Sequence, residues 1–332
     1  MTGRSFLVLL LFFLLCGAAL PAQQVDPALK EKADKVFQSA EETTMRINSG
    51  ICRITRLNRT NDGSNWPYFN EPGEFRLIFD CAAGFVRFES GFFERELLTP
   101  EFFYTFTYDT KNRRAFSHNC PADEYETTGL AKRNAIDVRS FFLPGGMCHR
   151  ALSGYGKSAF GRQTRDLAKV ACEELPSGQI KITTFRDYGH PEDALVTEDY
   201  IIDPDRGYTV SHFEQKQELN ISESFLFFFH HKTGFRMVTH RTHRVTWEQI
   251  NDTWVPVSGV FNFIYDGDSS HHESETEWKI DWEQVNAPID PSLFDPDAVL
   301  ADLEATAPDH IEKDADEPAA GERCPLRLSD AR

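Results

Sequence analysis

The chain lacks positive charge: 35 Lys and Arg stand against 52 Asp and Glu in 332 residues, a formal net charge of −17. A duty dominated by phosphate contacts needs a basic surface, so no nucleic-acid partner is expected. Beyond Leu20 there is no long uncharged apolar run, which excludes a polytopic membrane protein built from spans of about 20 residues. Cysteine is sparse. Of seven, the six after Cys16 (Cys52, Cys81, Cys120, Cys148, Cys172 and Cys324) all lie more than four residues apart, which removes the knuckle spacing of structural zinc sites. H-x-x-x-H, G-x-S-x-G and a finished EF-hand loop are missing. No motif calls for a cofactor or a metal, and none assigns a catalytic residue.

What is present begins with an export signal. Arg4 supplies the positive start, Phe6–Leu15 an uncharged apolar stretch, and CGAALPA a small-residue segment with cleavage expected after Ala22. Lipid anchoring through Cys16 fits less well, because Leu15 precedes the Cys where a small residue is wanted. The protein is therefore read as exported, periplasmic or secreted. In such a compartment the six later cysteines can pair or stay as small buried thiols, and their spacing favours neither.

Residues 26–45 form a helical pattern, with Asp26 as N-cap, Pro27 in the first turn, and Leu29, Ala33, Val36, Phe37 and Ala40 on one face. Beyond Gly50 the period changes to two. Phe75, Leu77, Phe79 and Cys81 share one face of a strand; Phe102, Tyr104, Phe106 and Tyr108 share one face of another; Thr276, Trp278, Ile280 and Trp282 share one face of a third. Such alternation marks antiparallel strands with one dry and one wet face. Asp203-Pro204-Asp205-Arg206-Gly207 reads as a tight turn with Gly where φ is positive. The run ESFLFFFHHKTGF reads as a strand buried on both sides. Residues 110–175 read as an insert of loops and short helices. Residues 295–332 carry 11 acids and 4 bases and read as an acidic, flexible tail in which AVLADL forms a short helix. The organisation expected is a signal over 1–22, one β-rich domain over 23–294, and the tail.

Candidate chemistry is thin. Ala151–Ser158, ALSGYGKS, matches a loosened phosphate loop, but no hydrophobic strand feeds it, so it reads as a chance match. His240 and His243 point to opposite faces of a strand, and His271, His272 and Glu273 read as a polar hairpin tip. The informative excess is aromatic: 28 Phe. It serves either to fill a large β core or to line a pocket for hydrocarbon, which needs no hydrogen bonds.

The order of phrases then carries a resemblance. An amphipathic helix leads to NSGICRIT (Asn48–Thr55), then GEFRLIFDCAAGFVRFES (Gly73–Ser90), YIIDPDRGYTV (Tyr200–Val210), WEQINDTWVPV (Trp247–Val257) and DWEQVNAPIDPSLFD (Asp281–Asp295). This succession resembles exported bacterial proteins of the LolA/LolB-like lipoprotein-carrier superfamily, over roughly residues 26–296. The resemblance implies an α+β fold: a strongly curved antiparallel sheet forming a half-open barrel around one or more helices. It also implies a greasy cavity holding lipid or the acyl chains of another protein, with peripheral membrane contact. The residues then expected at the ligand are Phe75, Leu77, Phe79, Phe102, Tyr104, Phe106, Trp278, Ile280 and Trp282. Arg87 stands where such proteins often carry a basic residue on an early strand. The alternatives are a protein-interaction module with a filled core and, third, a secreted hydrolase.

Overall fold

Asp26 sets the first helix: its side chain accepts a hydrogen bond from the Ala28 amide at 2.9 Å, and Pro27 takes the position whose amide needs no partner. Helix α1 (Pro27–Met45) buries Ala33, Val36, Phe37 and Ala40 along one stripe. The structure, a computed structural model, describes residues 26–60, 73–91, 94–122, 138–140, 169–187, 195–221, 235–267 and 270–306. The export signal, the ALSGYGKS segment and most of ESFLFFFHHKTGF lie outside the described residues, as do residues 307–332 of the acidic stretch.

Among the described residues thirteen strands follow α1: β1 (Ser49–Thr60), β2 (Gly73–Asp80), β3 (Phe85–Ser90), β4 (Glu94–Leu98), β5 (Phe102–Asp109), β6 (Arg114–Pro121), β7 (Lys169–Glu174), β8 (Ile180–Asp187), β9 (Leu195–Asp203), β10 (Thr209–Ile221), β11 (Phe235–Ile250), β12 (Thr253–Gly267) and β13 (Ser270–Val285). A second helix, α2 (Pro296–Thr306), closes the described chain. All the strands join one antiparallel sheet in the order β6-β5-β4-β3-β2-β1-β13-β12-β11-β10-β9-β8-β7. The sheet is open. Every neighbouring pair is also consecutive in the chain except β1–β13, and the two edges, β6 and β7, are themselves consecutive. Residues 114–121 and 169–174 of the segment expected as loops are therefore the two edge strands.

Turn chemistry is local. Asp203 accepts from the Asp205 amide, Pro204–Arg206 make a 3₁₀ turn, and Gly207 takes φ 66°. A Cβ on Gly207 would meet Trp254 at 3.0 Å, so both conformation and space favour glycine there. Asn251 and Asp252, both at positive φ, turn β11 into β12.

The β1–β13 seam is held by Asn286, at φ 52°. Its Oδ1 accepts from the Asn48 and Ser49 amides at 2.8 and 3.3 Å, and its Nδ2 donates to the Arg46 carbonyl at 2.7 Å and to Thr253 Oγ1 at 2.9 Å. One side chain thus ties the end of α1 to the starts of β1 and β12. Beside it, Gly50 lets Trp282 close over the backbone, where a Cβ would sit 2.7 Å from the indole.

Two hydrophobic clusters lie on opposite faces. Strand alternation places Leu77 and Phe79 on one side of β2 with α1's Phe37 and Ala40, and Ile78 on the other with α2's Val299 and Leu303. α1 crosses the strands obliquely: Lys32 meets Glu174 of β7, Phe37 packs edge-on to Tyr200 of β9, and Thr43 bonds the Gly207 carbonyl after β9. Its length, about 28 Å, matches the roughly 24 Å from β7 to β12. α2 lies across β4, β5 and β6 on the other face. Residues 296–306 are therefore part of the folded body, and only one of the two helices shares the α1 face. The packing is crossed: the N-terminal helix covers the C-terminal strands, and the C-terminal helix covers the N-terminal ones.

Opposite α1, strands β8–β11 present polar side chains. Lys181 pairs with Asp199 at 3.1 Å, and Glu214 lies 2.9 Å from His240 and 3.0 Å from Lys216. Burial pushes the neighbouring His212 imidazole below its ordinary value, Arg244 adds to this, and Glu214 and Asp199 oppose it.

Two outcomes are expected. Asn286→Ala removes the seam's four side-chain hydrogen bonds and puts a Cβ residue without Asn's local bonding at positive φ, lowering stability by about 2 kcal/mol; urea denaturation midpoints check this, and an unchanged midpoint would contradict it. The depressed His212 contributes stability that is complete above the unfolded value near 6.5 and is lost as pH falls toward its folded value. His212→Gln should flatten the fall in melting temperature just below that pH.

Candidate ligand-binding face

The α1 face is built in rows that run across the strands. Nearest the helix, Ile182, Tyr200, Phe213, His243, Phe261 and Thr276 stand in register from β8 to β13. All are buried. Tyr200 packs edge-on to Phe213, with ring centroids 4.9 Å apart, and His243 packs edge-on to Phe261 at 6.0 Å.

One step further from α1 the row becomes polar: Thr184, Glu198, Gln215 and Arg241, followed by Phe263. Glu198 is buried, and three neutral donors reach its carboxylate. Gln215 Nε2 donates to Oε1 at 2.9 Å, and Tyr200 OH and Thr184 Oγ1 donate to Oε2 at 3.0 and 3.3 Å. Gln215 Oε1 in turn accepts from Arg241 at 3.2 Å. Arg241 lies over the Phe263 ring at 5.5 Å. A chain of this kind fixes the mutual register of β8–β11, because a one-residue slip would strand a buried carboxylate.

Across the seam the same face stays aromatic. Phe75 of β2 stacks on Phe88 of β3 at 5.4 Å. The Arg56 guanidinium of β1 lies 5.1 Å from the Phe75 ring and 5.7 Å from the Trp278 ring of β13. Phe75, Phe263 and Trp282 are only partly buried. Burial at Cys52, below these rows, raises its thiol well above its usual range, so it sits there as a small apolar group.

The residues singled out in the sequence divide between the two faces. Phe75, Leu77, Phe79, Trp278, Ile280 and Trp282 come together on the α1 face. Tyr104 and Phe106 belong to the opposite cluster; Phe102 shares their side of β5 and is exposed. The register decides this: Phe79, Val86, Leu98 and Phe103 form one row, while Ile78, Arg87, Leu97 and Tyr104 form the next, facing the other way. Phe103, not its neighbours, is the β5 aromatic on the α1 face. Arg87 is likewise beneath α2, where it donates to Asp302 and to the Leu293 carbonyl at 2.6 and 3.1 Å and pairs with Glu89 at 2.6 Å. Arg95 bonds the Gly91 and Glu94 carbonyls beside it. Arg56, Glu198, Gln215 and Arg241 were not signalled. The only hint is that SHFEQKQEL puts Gln215 in phase with Phe213 on what alternation marks as the dry side.

An open antiparallel sheet with a helix on each face, and an aromatic surface crossed by a polar row, defines the class: a two-sided α+β sheet fold. No protein-family model and no curated protein matches the chain. Among solved structures it is similar to a LolA superfamily protein from Nitrosomonas europaea, at 10% identity and TM-score 0.36, covering 80% of this chain and 98% of that one. It is also similar to a chain of the Pseudomonas aeruginosa MucA/MucB complex, at 6% identity and TM-score 0.21, covering 75% of this chain and 99% of that one. A further likeness, at 6% identity and TM-score 0.18, is to a structure of MucB in complex with MucA(peri), covering 75% and 94%.

Arg87→Met should cost about 3 kcal/mol, because it leaves the largely covered Glu89 with Arg95 at 3.9 Å. The same variant should speed amide exchange throughout α2. Exchange unchanged in α2 would show that the ion pairs do not hold the helix.

Proposed function

We propose that the protein is an exported, non-catalytic binder of a hydrophobic ligand, lipid or the acyl part of another molecule, taken up on the α1 face. The observation that carries this reading is the partly buried aromatic surface beyond the reach of α1: Phe75 and Phe263, with Trp278 between them. Apolar and aromatic surface takes up hydrocarbon without demanding hydrogen bonds. The guanidinium groups of Arg56 and Arg241 lie over these rings. That geometry sets polar heads against an aromatic area, which suits an amphiphile better than a plain hydrocarbon. Export is supported by the Arg4, Phe6–Leu15 and CGAALPA pattern at the start of the chain. Among the described residues no helix is long and apolar enough to cross a membrane.

Titration with a fluorescent fatty acid tests the reading. Binding should quench tryptophan emission, and Phe75→Ala with Phe263→Ala should weaken it about 10-fold or more, at roughly 1.4 kcal/mol per factor of ten. Phe106→Leu, on the other face, should leave it unchanged. No binding by the parent protein, or equal loss in all variants, would defeat the proposal.

A further inference from the structure

We propose that β6 is the contact edge of a two-fold dimer of this chain, two copies pairing β6 with β6 in antiparallel sense about His118. The hydrogen bonds of the edge point to this. The Ala122 amide donates to the Glu101 carbonyl at 3.0 Å. With the β5–β6 register, this directs the backbone groups of residues 114, 116, 118, 120 and 122 toward β5. Those of Ala115, Ser117, Asn119 and Pro121 therefore point outward.

The outward row is blocked at both ends. The Ala115 amide donates to Glu304 Oε1 of α2 at 3.2 Å, and Pro121 has no amide hydrogen. Ser117 and Asn119 are left with both groups directed away from the sheet. In a two-fold antiparallel pair centred on His118, Ser117 of one copy faces Asn119 of the other, twice over. Each facing pair exchanges two hydrogen bonds, so the ladder holds four. The next pair is Ala115 facing Pro121, which needs no donor on either side. The two defects of the edge thus fall opposite each other, and the strand is complementary to itself. This is the condition for a closed two-fold contact.

Side chains agree with the backbone. On the α1 side Phe116, 37% exposed and edge-on to His118 at 5.7 Å, comes opposite Cys120 of the partner copy. On the other side Ser117 comes opposite Asn119, small and uncharged. Arg114 faces Ala122, so no like charges meet within the ladder. The other edge is built differently: β7 ends in Glu173 and Glu174, the latter paired with Lys32 of α1. Charge of this kind keeps an edge from pairing with itself.

Sedimentation velocity of the full chain from about 1 to 300 µM tests the proposal, since a contact this short is expected at the weak end of the interface range. The chain should pass from monomer to dimer within that interval, and exchange of the Ser117 and Asn119 amides should slow as concentration rises. Ser117→Pro and Asn119→Pro remove only outward amides, which β5 does not use. They should abolish the dimer while keeping the parent circular dichroism, whereas Ser117→Ala should dimerise as the parent does. A parent that stays monomeric throughout overturns the proposal, as do Pro variants that fold and dimerise equally. Ser117 and Asn119 amides protected to the same degree at every concentration would assign the edge to another occupant and overturn it too.

Discussion

One strand pair closes this molecule: β1 against β13. Every other pair in the sheet forms between chain neighbours, through turns or short connections, whereas β1 and β13 stand some two hundred residues apart. Closing so long a loop carries an entropic penalty that grows only slowly with length, but a seam without local turns must supply its own register. It does so with Gly50, which lets Trp282 lie against the backbone, and with Asn286, whose amide engages three separate segments. The ring nitrogen of Trp282 adds a bond to the Pro256 carbonyl at 2.8 Å, tying the seam to β12. If the seam slipped, two meanders would remain, each with one face of its core unfinished.

The two faces of the sheet are held by different physics. On the α1 side the contact between helix and sheet is mainly aromatic and aliphatic, and hydrogen bonds between strands join the members of its polar row. On the α2 side four charges lie between helix and sheet: Arg87 and Arg95, both buried, with the largely covered Glu89 and the half-exposed Asp302. Buried ion pairs contribute specificity more readily than net stability. The quartet fixes where α2 sits while Val299 and Leu303 supply the apolar area. The face proposed to take ligand is thus insulated from the ionic one by the thickness of a single sheet.

Much of this was legible in the sequence. Asp26-Pro27 marks the start of α1, Asp203–Gly207 marks a turn, and period-two alternation marks the strands, because each rests on chemistry local to a few residues. The phrase around Val285, Asn286 and Phe294 pointed to the closing segment. What stayed hidden depends on pairing. FFYTFTYD is aromatic on both sides, so nothing within it tells which side meets α1; only its register with β4 decides. FVRFES carries Arg87, expected at the ligand, yet the burial of that Arg follows from a helix more than two hundred residues later. Glu198 looks like the wet side of an ordinary strand until it aligns with Thr184, Gln215 and Arg241.

The crossed packing of the helices has a consequence for how the chain becomes a protein. As it emerges from the N-terminus, β1–β6 can zip together from local hairpins, yet the apolar side that α2 covers has to wait until residues 296–306 have been made. α1 waits in the same way for β7–β12. Neither half can finish early, and each displays greasy surface until the last part of the chain arrives. Such a chain stays open, and can still be drawn out as an extended polypeptide, until its last helix has been made.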